Sequence, residues 1–292
     1  MCDEDTVIES NSYLAQGTKM GRRDFNKLAV GAAAILMLPP VANALEVVGH
    51  DVMVNTPDGD ADCYFVHPAK GKHPGVIIWP DILGLRPAFR LMGERLAKSG
   101  YAVLVVNPYY RSARSPVIEP GASFQDAKTR NRVMPYYRAL SAETNVTDAK
   151  AYVAYLDAQN AVDVKRKIGT TGYCMGGPMV MRTAAALPER IGAGGSFHGS
   201  GLVTNDAESP HLLIKNMQAD LLIAVAANDD ERAPNDKEVL RKTAAKYGLK
   251  AEIEVYEGAM HGWCPPDSRV YHEKQAEQAW GRLLHTFENA LG

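Results

Sequence analysis

The chain has little net charge, few cysteines and no long apolar run. Its 32 Lys+Arg against 34 Asp+Glu leave a formal net charge of -2 over 292 residues, which argues against a nucleic-acid partner. Only four cysteines occur, and no two are spaced C-x-x-C. No G-x-G-x-x-G follows a strand-like run, so the dinucleotide fingerprint is missing, and His261 with Cys264 supply too few ligands for a metal. No cofactor is therefore expected. Internal repeats and low-complexity tracts are absent as well.

The longest apolar stretch, Ala29 to Leu38, is too short to span a bilayer stably and too uniformly apolar for a soluble amphipathic helix. Gly21-Arg22-Arg23-Asp24-Phe25-Asn26-Lys27-Leu28 precedes it, and Ala42-Asn43-Ala44 follows. This order reads as a twin-arginine export signal with a peptidase site after Ala44. Residues 1–44 are thus expected to be signal and N-terminal extension, and residues 45–292 the folded domain. Export by the twin-arginine machinery would leave a periplasmic protein with no stable membrane span. Met20 is an alternative start, which would make the polar segment before it an artefact or an extended n-region.

Within 45–292, strand-like and helix-like patterns alternate, the signature of one α/β domain with a mostly parallel central sheet flanked by helices. Strands are expected near 47–54, 62–66, 76–79, 102–106, 168–173, 192–197, 221–226 and 251–256. Helices are expected near 88–99, 148–157, 178–186, 235–247 and 270–290. The stretch 112–141 is the least regular, and its Arg130, Arg132, Tyr136, Tyr137 and Arg138 suit either a lid or a plain surface insertion.

Gly172-Tyr173-Cys174-Met175-Gly176 sits where one of these strands meets a helix, the layout of a nucleophile elbow with a thiol at its centre. Such a bend forces the central residue into strained backbone, and small residues two positions away let neighbouring chain pass close by. The helix that follows aims its N–H groups and positive dipole end at the sulfur and favours thiolate. A thiolate nucleophile needs a histidine and an orienting carboxylate. Asn228-Asp229-Asp230 lies at the carboxyl end of a buried strand, and His261 lies in the loop after the next. Of the two aspartates, Asp229 is favoured as the orienting acid; Asp230 reads as a loop residue or as a cap for a helix starting near Pro234. His198 also ends a strand and is expected to line the pocket, supporting the residues beside it or touching substrate. The chain order Cys174, Asp229, His261 is that of α/β-hydrolases.

At these residues the chain resembles the dienelactone hydrolase family, cysteine-dependent α/β-hydrolases, from roughly Ala61 to the C-terminus. The match rests on Gly-Tyr-Cys-Met-Gly-Gly at 172–177, Asn228-Asp229 and Met260-His261-Gly262-Trp263. The resemblance places Asp81 where the family has a glutamate touching the resting cysteine, and it implies an oxyanion hole from the backbone N–H groups of Ile82 and Met175. It also makes Arg111, in Asn107-Pro108-Tyr109-Tyr110-Arg111, the candidate for gripping a substrate carboxylate. The family's second arginine, shortly after the catalytic histidine, is missing here. Arg269 is not expected to replace it, and Trp263 suggests a more apolar pocket wall. Cys63 and Cys264 could pair in an oxidising compartment or remain separate thiols, and Cys264 could alternatively react with Cys174 as an oxidative off-switch.

The expected function is an exported hydrolase that opens a lactone or cleaves a small ester through a Cys174 acyl-enzyme. The alternatives are a general carboxylesterase or acyl-transferring enzyme on the same scaffold, and a non-catalytic or thiol-redox protein that kept the fold.

Overall fold

The computed structural model describes residues 4–17 and 37–292. The arginine pair and most of the apolar run of the expected signal lie outside them. The sheet has eight strands: β1 (Val47–Thr56), β2 (Gly59–Pro68), β3 (Gly75–Trp79), β4 (Ala102–Val106), β5 (Ile168–Tyr173), β6 (Ile191–Phe197), β7 (Asp220–Ala226) and β8 (Ala251–Tyr256). Their spatial order is β1-β2-β4-β3-β5-β6-β7-β8. β1 and β2 form an antiparallel hairpin, β2 joins β4 antiparallel, and every other pairing is parallel. The eight strands fall where the alternation of the sequence puts them.

β3, β4 and β5 are buried at every residue, because helices cover both faces. The helices are α1 (Glu4–Gly17), α2 (Pro87–Lys98), α3 (Ala127–Arg138), α4 (Ala142–Asp157), α5 (Gly176–Ala186), α6 (Ala227–Arg232), α7 (Asp236–Tyr247) and α8 (Glu273–Leu291). On one face of the sheet, Ile77, Leu104 and Ile168 pack with Tyr152 and Leu156 of α4 and Met181 of α5. On the other, Val76, Val103 and Leu222 pack with Phe89 of α2 and Leu283 and Phe287 of α8. Two closed cores clamp the parallel strands, so their carboxyl ends are fixed points from which loops can present chemistry.

Four elements were not anticipated. α3 lies inside the irregular stretch 112–141, disguised by its polar composition and by Pro135 within the helix. α6 turns the expected loop at 228–230 into a short helix. A 3-10 helix spans Pro210–Asn216. α1 lies in the segment read as an extension.

Candidate active site

The elbow is built by three strand ends meeting. Cys174 follows β5 with φ 53°, the left-handed region that costs a non-glycine residue energy, and α5 starts two residues on. Glycines around it permit the crossing. A Cβ on Gly176 would lie 2.4 Å from the carbonyl oxygen of Trp79 at the end of β3, and one on Gly177 would lie 2.5 Å from Cα of Gly199 beyond β6. The strained turn is held by hydrogen bonds from outside it. The Cys174 N–H donates to the Phe197 carbonyl at 3.0 Å and to Nδ1 of His198 at 3.1 Å, while the Cys174 carbonyl accepts from Gly177 at 3.0 Å and Ser200 at 3.3 Å.

His261 comes from the turn after β8, and its Nδ1 lies 2.7 Å from Oδ2 of Asp229 in α6. An Nδ1–H donated to that carboxylate leaves Nε2 as the basic nitrogen. The loop is pinned by the neighbouring residue, since Oδ1 of Asn228 accepts the His261 N–H at 2.8 Å. Burial pushes the Asp229 carboxyl up, but the charge of His261 and its hydrogen bond outweigh this and hold it below the ordinary carboxylate range. Asp230, read as a loop residue or a cap, lies in α6 and pairs with Lys237 at 2.5 Å. Cys174, His198 and His261 line one cavity, together with Asp81, Ile82, Arg86, the segment Ala122 to Gln125, Asp267, Arg269, and Val7 and Ser10 of α1.

Ile82 and Met175, the two residues whose N–H groups are expected to bind an oxyanion, are tied together by one side chain. The Tyr109 hydroxyl donates to the Ile82 carbonyl at 2.9 Å and reaches Sδ of Met175 at 3.2 Å. A cysteine at a strand-to-helix turn, a histidine paired with an acid from the preceding strand end, and a buried clamp joining the end of β3 to the elbow come together at the carboxyl ends of the strands.

A family model described as "Dienelactone hydrolase family" matches residues 61–291. The chain belongs to the dienelactone hydrolase family. It is a hydrolase of that family, with the α/β-hydrolase fold. Among named relatives, a provisionally named carboxymethylenebutenolidase of Synechocystis is 29% identical over 78% of this chain and 91% of its own. A provisionally named 2-oxo-3-(5-oxofuran-2-ylidene)propanoate lactonase of Bradyrhizobium is 24% identical over 82% of this chain and 94% of its own. Among solved structures, a provisionally named dienelactone hydrolase of Klebsiella pneumoniae superposes with a TM-score of 0.71 at 21% identity. It covers 83% of this chain and 99% of its own, a likeness of fold.

Other residues that the dienelactone hydrolase pattern singled out are placed differently. Asp81 lines the cavity, but both its oxygens bind Arg86, at 2.7 and 3.0 Å, and its Oδ1 also accepts the Leu83 N–H in a turn. Arg86, which the sequence did not flag, is buried and bridges Asp81 to Asp267 at 2.6 Å. Arg111 does not reach the cavity. Its guanidinium is held by Asp58 at 2.6 Å and by the buried Asp148 at 2.7 Å, so its charge is already committed to structure. Instead Arg269, discounted on sequence, lines the cavity from the loop before α8 and pairs with the exposed Asp126 at 3.2 Å. Trp263 is fully buried behind His198, stacked on Tyr256, and forms no part of the cavity wall.

His198 does line the cavity and is more deeply embedded than expected. It has φ 40°, its ring meets those of His261 and Trp263 at 5.1 Å, and its Nε2 has no hydrogen-bond partner among the described residues. Burial, and then the nearby charge of His261, push its pKa well below the ordinary value, so the ring is neutral and its Nδ1 is free to accept from Cys174. Cys63 and Cys264 are separate, buried free thiols, so the two are not paired with each other. Burial pushes the Cys264 thiol well up. Cys174 itself is held in a disulfide. Among the described residues no cluster of three or more metal-ligating side chains occurs, and no helix is long and apolar enough to cross a membrane.

Proposed function

We propose that this protein is an exported, periplasmic hydrolase that opens a lactone or cleaves a small ester through a Cys174 acyl-enzyme. The observation that carries the reading is the shared cavity of Cys174 and His261, with the His261 Nδ1 bound at 2.7 Å to Asp229. The working form is reduced. A dithiol attacks the disulfide that holds Cys174, supplies two electrons and two protons, leaves as its own disulfide, and frees the Cys174 thiol.

His261 then takes the thiol proton on Nε2. The thiolate attacks the ester carbon, and the N–H groups of Met175 and Ile82 receive the charge developing on the carbonyl oxygen. His261 returns the proton to the departing alkoxide, which in a lactone stays attached through the opened ring. Water attacks the thioester, His261 accepts its proton, and the Cys174 thiolate leaves to restore the resting pair. Asp229 keeps the imidazole in the tautomer that both halves need.

A preference for neutral esters is the second reading, favoured because Arg111 is sequestered by Asp58 and Asp148 and no arginine follows His261 directly. The wild-type protein and Cys174→Ala, reduced with a dithiol, should be compared on an enol lactone carrying a carboxylate and on neutral aryl esters. The wild type should turn over one class and Cys174→Ala neither; undiminished turnover by the variant refutes the assignment. Fractionation of the host, with the antigen recovered from the periplasm in shortened form, tests the export proposal.

A further inference from the structure

The mouth of the cavity is covered from the distant start of the chain. α1 puts Val7 and Ser10 into the lining that also contains Cys174, His198 and His261, and Ser10 is 1% exposed. These residues, with the partly buried Leu14, recur at three- and four-residue spacing and form one helix face, whereas Ile8 and Tyr13 face solvent. The face is anchored by charge. Oε2 of Glu9 accepts from Nδ2 of Asn228 at 2.5 Å and from Arg232 at 2.8 Å. Both donors sit on α6, the short helix that carries Asp229, and the same Asn228 amide holds the His261 N–H through its oxygen.

We propose that the rim formed by α6 and the cavity lining is a docking surface for the chain's own N-terminal helix, and that the docked helix masks the active site of the full-length protein. The occupant is identified by its contacts. The Glu9 carboxylate matches an amide and a guanidinium on α6, while Val7 and Ser10 of the same helix enter the cavity lining. Its covalent tether raises its local concentration to about the millimolar range, so a modest contact keeps it seated. The disulfide at Cys174 also blocks the sulfur, and a dithiol removes that block. On the export route proposed above, the cut after Ala44 removes α1 along with the signal, and the site opens only once the protein has been processed. The inference rests on the reading of Cys174 as the nucleophile, and its test is chosen to separate the two.

The experiment uses the full-length chain held in excess dithiothreitol, with a site-specific protease sequence installed between residues 37 and 44. Two readouts are taken before and after cutting: the rate at which iodoacetamide alkylates Cys174, located by peptide mapping, and the hydrolysis of p-nitrophenyl acetate. Uncut protein should alkylate and hydrolyse at least tenfold more slowly than cut protein. Uncut Glu9→Lys and Val7→Asp variants should approach the cut rates. Equal alkylation of Cys174 in cut and uncut wild-type protein overturns the masking proposal. Faster alkylation after cutting with no ester or lactone hydrolysed upholds masking and sinks the hydrolase reading instead.

Discussion

The elbow at Cys174 and the pocket rim, which line one cavity, are built on opposite principles. The elbow is backbone against backbone. Gly176 touches Trp79, Gly177 touches Gly199, and the left-handed Cys174 donates its N–H to the Phe197 carbonyl of β6 and accepts from the Gly177 and Ser200 N–H groups. The rim is side chain against side chain: Arg86 between Asp81 and Asp267, Arg269 on Asp126, Glu9 on Arg232. Backbone packing in a closed core has no alternative arrangement, so it suits groups that must be placed to a fraction of an ångström. The more exposed of these pairs, Arg269 with Asp126 and Arg232 with Glu9, can exchange partners at little cost, which suits recognition and covering, whereas the buried Arg86 cannot. On the proposed function, chemistry would sit on the part that cannot move and selectivity on the part that can.

The sharpest way to break this contrast is within the elbow's own machinery. Asp229→Asn should lower the rate constant for hydrolysis by roughly a thousandfold, since the amide no longer enforces the working tautomer. Asp230→Asn, whose parent side chain is paired with Lys237, should change it less than twofold. Comparable losses in single-turnover assays of the two variants would mean that the acid has been misassigned. Gly176→Ala comes next. Its new methyl would meet the Trp79 carbonyl at 2.4 Å, and the backbone must shift to admit it, so a stability loss of about 3 kcal/mol is expected in urea unfolding. An unchanged midpoint would show that the elbow is softer than its contacts imply.

The arginines test the other half of the comparison. Arg111→Met strips the buried Asp148 of its cation and should cost about 3 kcal/mol of stability without altering KM for anionic substrates. Arg269→Met should leave stability within about 0.5 kcal/mol, because its pair with Asp126 is exposed, and should alter KM for a carboxylate-bearing ester. The opposite assignment of the two effects would place the anion site at Arg111 after all.

The smallest effect concerns acid. His198 is buried with its pKa well below 6.5, so below that pH the unfolded chain binds a proton that the folded chain refuses. Stability should therefore fall on acidification, starting near pH 6.5 and approaching about 1.4 kcal/mol per pH unit, until the folded-state pKa is reached. Asp229 has the same sign in a lower window, since its depressed carboxyl favours the fold above the ordinary value of 3.8 and that contribution is lost as pH falls further. In His198→Asn, which keeps an acceptor near the Cys174 N–H, the slope between pH 6.5 and 5 should flatten. An unchanged slope would assign acid sensitivity to another group.

Much of this was legible in the chain itself. The strands announce themselves by apolar runs such as Val76 to Trp79 and Leu221 to Ala226, and Cys174 by the glycines around it, because these signals are local. α3 was missed because its polar face and Pro135 carry no periodic apolar signal. Arg269 was passed over in favour of Arg111 because sequence reports that a cation exists, and not which carboxylates have already claimed it. Tyr109 stands beside Arg111 in the same motif, yet its link between Ile82 and Met175 joins residues far apart in the chain.

The order of residues alone therefore determined the α/β sheet and the sharp bend at the sulfur, since each follows from short-range periodicity or from the backbone freedom of glycine. Tertiary structure decided which aspartate meets His261, which arginine faces the cavity, why His198 is neutral, and that the N-terminal helix contributes to the cavity lining. Those outcomes depend on desolvation and on competition among charges brought together by folding, and neither exists until the chain is packed.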